Sequence, residues 1–162
     1  MSKINITLSF DEYANNSNDI PSSTQLLLKK AEENLHNAYA PYSKFKVSSA
    51  IRLKNGEIIL GTNQENAAYP SGICAERVAV FYAGATFPNE IIEEIAIVTE
   101  TSNETPFSPC GACRQVLLEY EYKQKQSIKV VMKSGNSKIW CFNSISDLLP
   151  FAFDGSSLLK TD

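Results

Sequence analysis

The residues whose types and spacing can do chemistry are Cys74-Ala75-Glu76 and, downstream, Pro109-Cys110-Gly111-Ala112-Cys113. Three cysteines so arranged can hold one zinc ion by sulfur, and a zinc with three protein ligands keeps a fourth position for water. Glu76 follows close behind Cys74. A carboxylate beside such a water can move its protons. The pattern predicts hydrolytic chemistry on a small molecule, with Cys74, Cys110 and Cys113 as ligands of Zn²⁺ and Glu76 as the catalytic proton carrier.

Two plainer readings compete. Cys110 and Cys113 alone are a C-x-x-C pair, which serves equally as a redox pair or as half of a structural zinc site. The redox reading leaves Cys74 and Glu76 without roles. The structural reading wants a fourth ligand. His36 is the only histidine and lies far upstream. Cys141 stands between Trp140 and Phe142 and reads as a buried, inert thiol. An open three-sulfur site accounts for the pattern better. Three thiolates around a divalent zinc leave a charge of about −1, which weakens the metal as a Lewis acid. Arg77 is placed to offset it by donating to a cysteine sulfur. The bland reading of Arg77 is a surface or interface residue.

The surrounding elements must bring these segments together. Both cysteine segments fall at predicted helix starts, over 73–83 (with Gly84 as its stop) and 110–122. A helix N-terminus carries partial positive charge and free N–H groups, which favour thiolate over thiol. The i,i+3 spacing of Cys110 and Cys113 puts both sulfurs on one helical face. Upstream, the apolar spacing predicts a helix over 26–39, with caps offered by Ser22-Ser23-Thr24. Strands are expected over 46–53 and 57–63, joined by an Asn55-Gly56 hairpin turn. Further strands are expected over 94–99 and 127–132, with 140–142 as an edge segment. Residues 2–10 alternate weakly and predict an N-terminal strand; 11–23 reads as a loop. This order suggests an α/β protein, a mixed sheet with helices on its faces.

The chain has 162 residues, 43% of them hydrophobic and 20% charged, enough for one globular domain with a proper core. Its net charge is −3 and its pI about 5.3. It therefore carries no general attraction for nucleic acid or anionic membranes. No apolar run approaches the roughly 20 residues of a membrane span, and no signal peptide is read at the N-terminus. The expectation is a cytoplasmic protein.

The residues also resemble a known family, the small zinc-dependent cytidine deaminases. The matching segments are Ala40-Pro41-Tyr42-Ser43-Lys44-Phe45-Lys46-Val47, Asn63-Gln64-Glu65-Asn66-Ala67-Ala68-Tyr69-Pro70, Gly72-Ile73-Cys74-Ala75-Glu76-Arg77 and Ser108-Pro109-Cys110-Gly111-Ala112-Cys113-Arg114-Gln115. Leu148-Leu149-Pro150 with Phe153 matches the family's C-terminal segment. The likeness spans about residues 26–155. It leaves 1–23 as an N-terminal extension and 24–162 as a catalytic domain. One departure is Ser48-Ser49-Ala50, where the family carries glycine or alanine after the Phe-x-Val.

The resemblance implies a three-layer α/β/α fold on a roughly five-stranded mixed sheet. It implies one zinc per subunit and the conversion of cytidine and 2′-deoxycytidine to uridine and 2′-deoxyuridine, with ammonia released, in pyrimidine salvage. Glu76 would shuttle protons for a water attacking C4 of the base. Phe45 would pack on the pyrimidine. Asn63 and Glu65 would bind the ribose hydroxyls, and the Ala75 backbone would meet the base edge. Read without the family, Phe45 is strand core and Asn63 and Glu65 are polar residues at a strand end. Phe153 would reach a neighbouring subunit's site in a homotetramer, with Tyr69 near that interface. A deaminase of a cytosine nucleoside analogue or antibiotic shares the zinc site and differs in the sugar pocket. A nucleic-acid editing deaminase needs a basic, aromatic groove, which the charge disfavours. A structural zinc domain would leave Glu76 dispensable.

Overall fold

The computed structural model describes residues 1–155 and Leu158. Along the chain run β1 (Asp11–Tyr13), α1 (Ser22–Asn34), β2 (Val47–Leu53), β3 (Ile58–Thr62), α2 (Ala75–Thr86), β4 (Ile92–Thr99), α3 (Gly111–Gln124), β5 (Lys129–Ser134) and β6 (Ile139–Phe142). Short 3₁₀ turns lie at Leu35–Asn37, Tyr69–Ser71 and Ile145–Leu148. The strands form one sheet in the order β1-β6-β5-β4-β2-β3. Among the strands of the described residues, β4 and β5 are the one parallel pair, and α3 is the crossover between them.

The strands alternate between two cores, as a period of two requires. On one face Leu27, Leu28 and Ala31 of α1 meet Ala50, Ala96 and Val131. On the other, Val80 of α2 and Leu117 of α3 meet Ile51, Ile95 and Met132. The result is the expected three-layer α/β/α arrangement, with six strands instead of roughly five. Leu117 is fully buried, so cutting it to alanine costs about 2–5 kcal/mol.

The extra strand corrects the reading of the N-terminus. Strand pairing falls at Asp11–Tyr13, inside the expected loop, while residues 2–10 lie outside any strand. The register explains this. β6 is four residues long, and Asp11, Glu12 and Tyr13 sit opposite Cys141, Trp140 and Ile139. Residues upstream of Phe10 run past the end of β6 and find no strand to pair with. Phe10 still packs on the rings of Trp140 and Phe142, at 4.8 and 4.9 Å.

Helix α1 starts earlier than expected, with Pro21 at its N-cap and no side-chain cap. Thr24 is not a cap, because its hydroxyl donates to Glu94 on β4 at 2.7 Å. Glu94 is a buried carboxylate that also meets Arg52 at 2.8 Å and Lys129 at 3.4 Å. These partners offset the cost of burying its charge. Gly84 does not stop α2, which continues to Thr86. A Cβ at Gly84 would collide with the Tyr120 hydroxyl of α3, so this glycine permits helix contact. β5 starts two residues late, at Lys129, because the Ile128 amide instead donates to Glu121 at 2.7 Å. The hairpin turns at Asn55-Gly56, where Gly56 has φ +91°.

Candidate metal and active centre

α2 and α3 start side by side on one face of the sheet and carry the three sulfurs. Cys74 is the N-cap of α2, and Cys110 is the N-cap of α3, with Cys113 in the first turn that follows. The close approach of β3 fixes where α2 begins. A Cβ at Gly61 would lie 2.6 Å from the Ala79 amide nitrogen, so only glycine lets the strand pass this near.

The sulfurs of Cys74, Cys110 and Cys113 all lie within 4.8 Å of one another. Tetrahedral zinc with bonds of about 2.3 Å needs sulfurs about 3.8 Å apart, so the triad fits zinc with a small adjustment. Cys74 is partly buried, Cys113 buried and Cys110 exposed, which leaves one side of the triad open. A contact with the Cys113 thiol brings Cys74 down to about 5, aided by Arg77. Cys113 moves up, because it donates to Cys74 and is buried. A lowered thiol favours the thiolate, the form that binds metal. Arg77 Nη2 donates to Cys74 Sγ at 3.4 Å.

Glu76 is in the first turn of α2 and only 4% exposed. Burial pushes its carboxyl up, and the charge of Cys74 adds to the effect. A raised carboxyl suits a group that must both take and return a proton. Cys141 lies in β6 and is not part of the sulfur cluster. Burial holds its thiol up at about 11, as an inert core residue. His36 is exposed and its Nδ1 sits 2.7 Å from the Glu33 carbonyl, away from the sulfurs.

A cleft of about 810 Å³ opens over the centre, within the usual range for a small-molecule site. Phe45, Asn63, Glu65, Tyr69, Cys74 and Glu76 all line it. Asn63 and Glu65 are occupied with main chain. The Asn63 amide donates to the Phe45 carbonyl and accepts from the Val47 amide, both at 2.9 Å. Glu65 accepts from the Tyr42 and Ser43 amides at 2.9 and 3.2 Å and from the Ser43 hydroxyl. The hydroxyl, with those amides, holds Glu65 below the ordinary carboxylate range. A carboxylate offers about four acceptor sites, so Glu65 keeps capacity for a ligand hydroxyl.

Two expected residues are not on the cleft wall of this chain. Ala75 is fully buried, and its carbonyl faces Gly61. Phe153 is 69% exposed. Tyr69 is 90% exposed at the rim. Among the cleft residues that the sequence reading did not assign to the site is an aromatic, Phe107. Phe107 lies edge-on to Phe45, with centroids 5.0 Å apart and an interplanar angle of 87°. Its amide donates to Ser134 at 2.8 Å, which fixes the loop after β4 over the cleft. Its nearness to Pro109-Cys110 was the one available signal.

A thiolate cluster beside a buried carboxylate, under an open cleft on an α/β/α sheet, defines a zinc-dependent hydrolase. Known proteins narrow the class. Residues 21–129 match the family model described as the cytidine and deoxycytidylate deaminase zinc-binding region. A cytidine deaminase of Halalkalibacterium halodurans is 35% identical over 142 residues, covering 83% of this chain and 96% of that protein. The crystal structure of a cytidine deaminase from Burkholderia pseudomallei is 40% identical with a TM-score of 0.71, covering 80% of this chain and 98% of that one. A cytidine deaminase structure from Mycobacterium tuberculosis is 29% identical with a TM-score of 0.65, covering 83% and 99%. The chain belongs to the cytidine and deoxycytidylate deaminase family.

Proposed function

We propose that this chain is a zinc-dependent deaminase of cytidine and 2′-deoxycytidine, with Cys74, Cys110 and Cys113 as metal ligands and Glu76 as the catalytic proton carrier. The observation that carries the reading is the three-sulfur cluster beside buried Glu76 in one cleft. Zinc held there supplies the Lewis acid that brings a water's pKa toward neutrality. The protein's residues do the rest. Glu76 takes a proton from the attacking water and delivers it to N3 of the cytosine ring. As the C4–N bond breaks, the same carboxyl takes the second proton from the new C4 hydroxyl and passes it to the departing amine, so that the C4 carbonyl forms. Ammonia leaves, and the ring keeps the oxygen as uridine. Arg77 offsets the negative charge of the sulfurs.

Phe45 packs on the base, with the Ala75 backbone at its edge. Asn63 and Glu65 read the sugar hydroxyls, which supports an ordinary ribose or deoxyribose over a modified sugar. Phe153 completes the site of a neighbouring subunit in a homotetramer, with Tyr69 at the interface. The exposure of both side chains supports this. Residues 24–162 are the catalytic domain and 1–23 an extension. Among the described residues no helix is long and apolar enough to cross a membrane. We place the enzyme in the cytoplasm, in pyrimidine salvage, acting on free nucleosides.

Zinc content and the fall of cytidine absorbance, measured for wild type and Glu76→Gln, test the reading. The wild type is expected to hold about one zinc and release ammonia. Glu76→Gln keeps the metal and loses about 10²–10⁴-fold in turnover. A zinc-loaded wild type inactive on cytidine and deoxycytidine, or a fully active Glu76→Gln, would overturn it.

A further inference from the structure

The turn of α3 that carries Cys113 continues into Arg114 and Gln115. Successive helical residues point about 100° apart, so these two aim elsewhere than the sulfur. Arg114 makes three contacts of 2.8 Å each. Nε donates to the Pro109 carbonyl, Nη2 to the Ser108 hydroxyl and Nη1 to the Leu148 carbonyl. The first two partners lie in the loop that ends at Cys110. The third lies in the turn after β6 that leads to Phe153. Gln115 Nε2 donates to the carbonyl of Phe153 itself, at 2.7 Å.

Arg114 therefore meets two carbonyls and a hydroxyl, and serves as a rigid fork more than as a charge. A planar guanidinium can do this and an ammonium cannot. Phe153 is a large apolar side chain left 69% exposed while its own carbonyl is held. An exposed aromatic on an anchored main chain is a presented group.

We infer that Arg114 and Gln115 are positioning residues for substrate binding. They clamp residues 148–153 onto the helix turn that carries Cys113, so that Phe153 is presented at a fixed place relative to the sulfur cluster. This rests on the deaminase reading above and on its placement of Phe153. It adds a direct physical link between the metal-binding turn of one subunit and the side chain offered to its neighbour.

The test compares zinc-loaded wild type, Gln115→Ala, Arg114→Lys, Phe153→Ala and the double variant Gln115→Ala/Phe153→Ala. Amide exchange over residues 149–154 is measured beside KM and kcat for cytidine. In Gln115→Ala, KM is expected to rise about threefold to tenfold, with kcat within about twofold and zinc content unchanged. Exchange over 149–154 accelerates in Gln115→Ala and Arg114→Lys. The double variant is no worse than Phe153→Ala alone, because the anchor has nothing left to present. Unchanged exchange in both Gln115→Ala and Arg114→Lys overturns the proposal. So does an additive double variant, or a Phe153→Ala enzyme with wild-type KM. A wild type inactive on cytidine defeats the deaminase reading by itself, and exchange over 149–154 then still decides whether the clamp exists.

Discussion

Asn63 holds Phe45 in place through both ends of its side-chain amide. Nδ2 donates to the Phe45 carbonyl and Oδ1 accepts from the Val47 amide, each at 2.9 Å. The Asn63 main-chain amide also donates to the Val47 carbonyl, at 3.1 Å. The side chain thus acts as an extra rung of the ladder, just where β2 begins. Asn63→Ala removes two hydrogen bonds of about 1 kcal/mol each and frees the segment that carries Phe45. We expect KM for cytidine to rise about tenfold or more, with a smaller change in kcat. A KM within twofold of wild type in steady-state assays contradicts this.

Arg77 reaches back to Cys74 across the first turn of α2. Its guanidinium is among the groups that lower the Cys74 thiol. Arg77→Gln keeps a polar group and removes the cation. A coloured chelator should then take zinc from the protein about 10–100-fold more easily, in line with lost outer-sphere contacts at other metal sites. Arg77→Lys should restore part of the retention. Equal metal loss from wild type and Arg77→Gln contradicts the role.

Ser49 is fully buried in β2, and its hydroxyl has no hydrogen-bond partner. Neighbouring Ser48 is also buried but accepts from Asn34, at 3.3 Å. The departure at this point in the sequence therefore has two different outcomes. Ser49→Ala removes an unpaired polar group and should stabilise the protein by about 1 kcal/mol. Thermal melting should move up by about 2–4 °C. A lower midpoint would show that the hydroxyl has a partner after all.

Glu12 joins β1 to β6. It pairs with Lys138 and accepts from the indole N–H of Trp140, at 2.9 Å. Lys138, then Trp140, holds its carboxyl below the ordinary value of 4.5. With the folded value depressed, this stability is present above the unfolded pKa and is lost as pH falls through the folded one. Trp140 is the only tryptophan, so its emission reports the contact. A spectral change should begin below about pH 4.5 and be absent in Glu12→Gln. The same acid transition in both proteins would contradict it.

The sulfur cluster was legible in the sequence because its geometry is local. Cys110 and Cys113 share one helical turn, and Cys74 caps the helix beside it. Only the adjacency of the two helices had to be supplied by the sheet. Phe107 was hidden because its place depends on Ser134, far away in β5. Gly84 looked like a helix stop because its reason, the Tyr120 ring, belongs to another helix. The N-terminal strand was misplaced because alternation fixes which residues suit a strand, while the length of β6 decides which of them pair. Arg114 and Gln115 stood within a motif, but nothing in the motif says that they grip residues 148–153.

The joining of β1 to β6 also sets an order of events during synthesis. Glu12 and Trp140 are separated by 128 positions, so the first strand to emerge waits for nearly the last. At 5–20 residues per second, that wait is on the order of ten seconds. Meanwhile Ile4, Ile6, Leu8 and Phe10 travel with an unpaired edge, a risk for a nascent chain. The seam closes last, so a ribosome-stalled chain ending before β6 should be the most vulnerable to proteases and chaperone capture at its N-terminus.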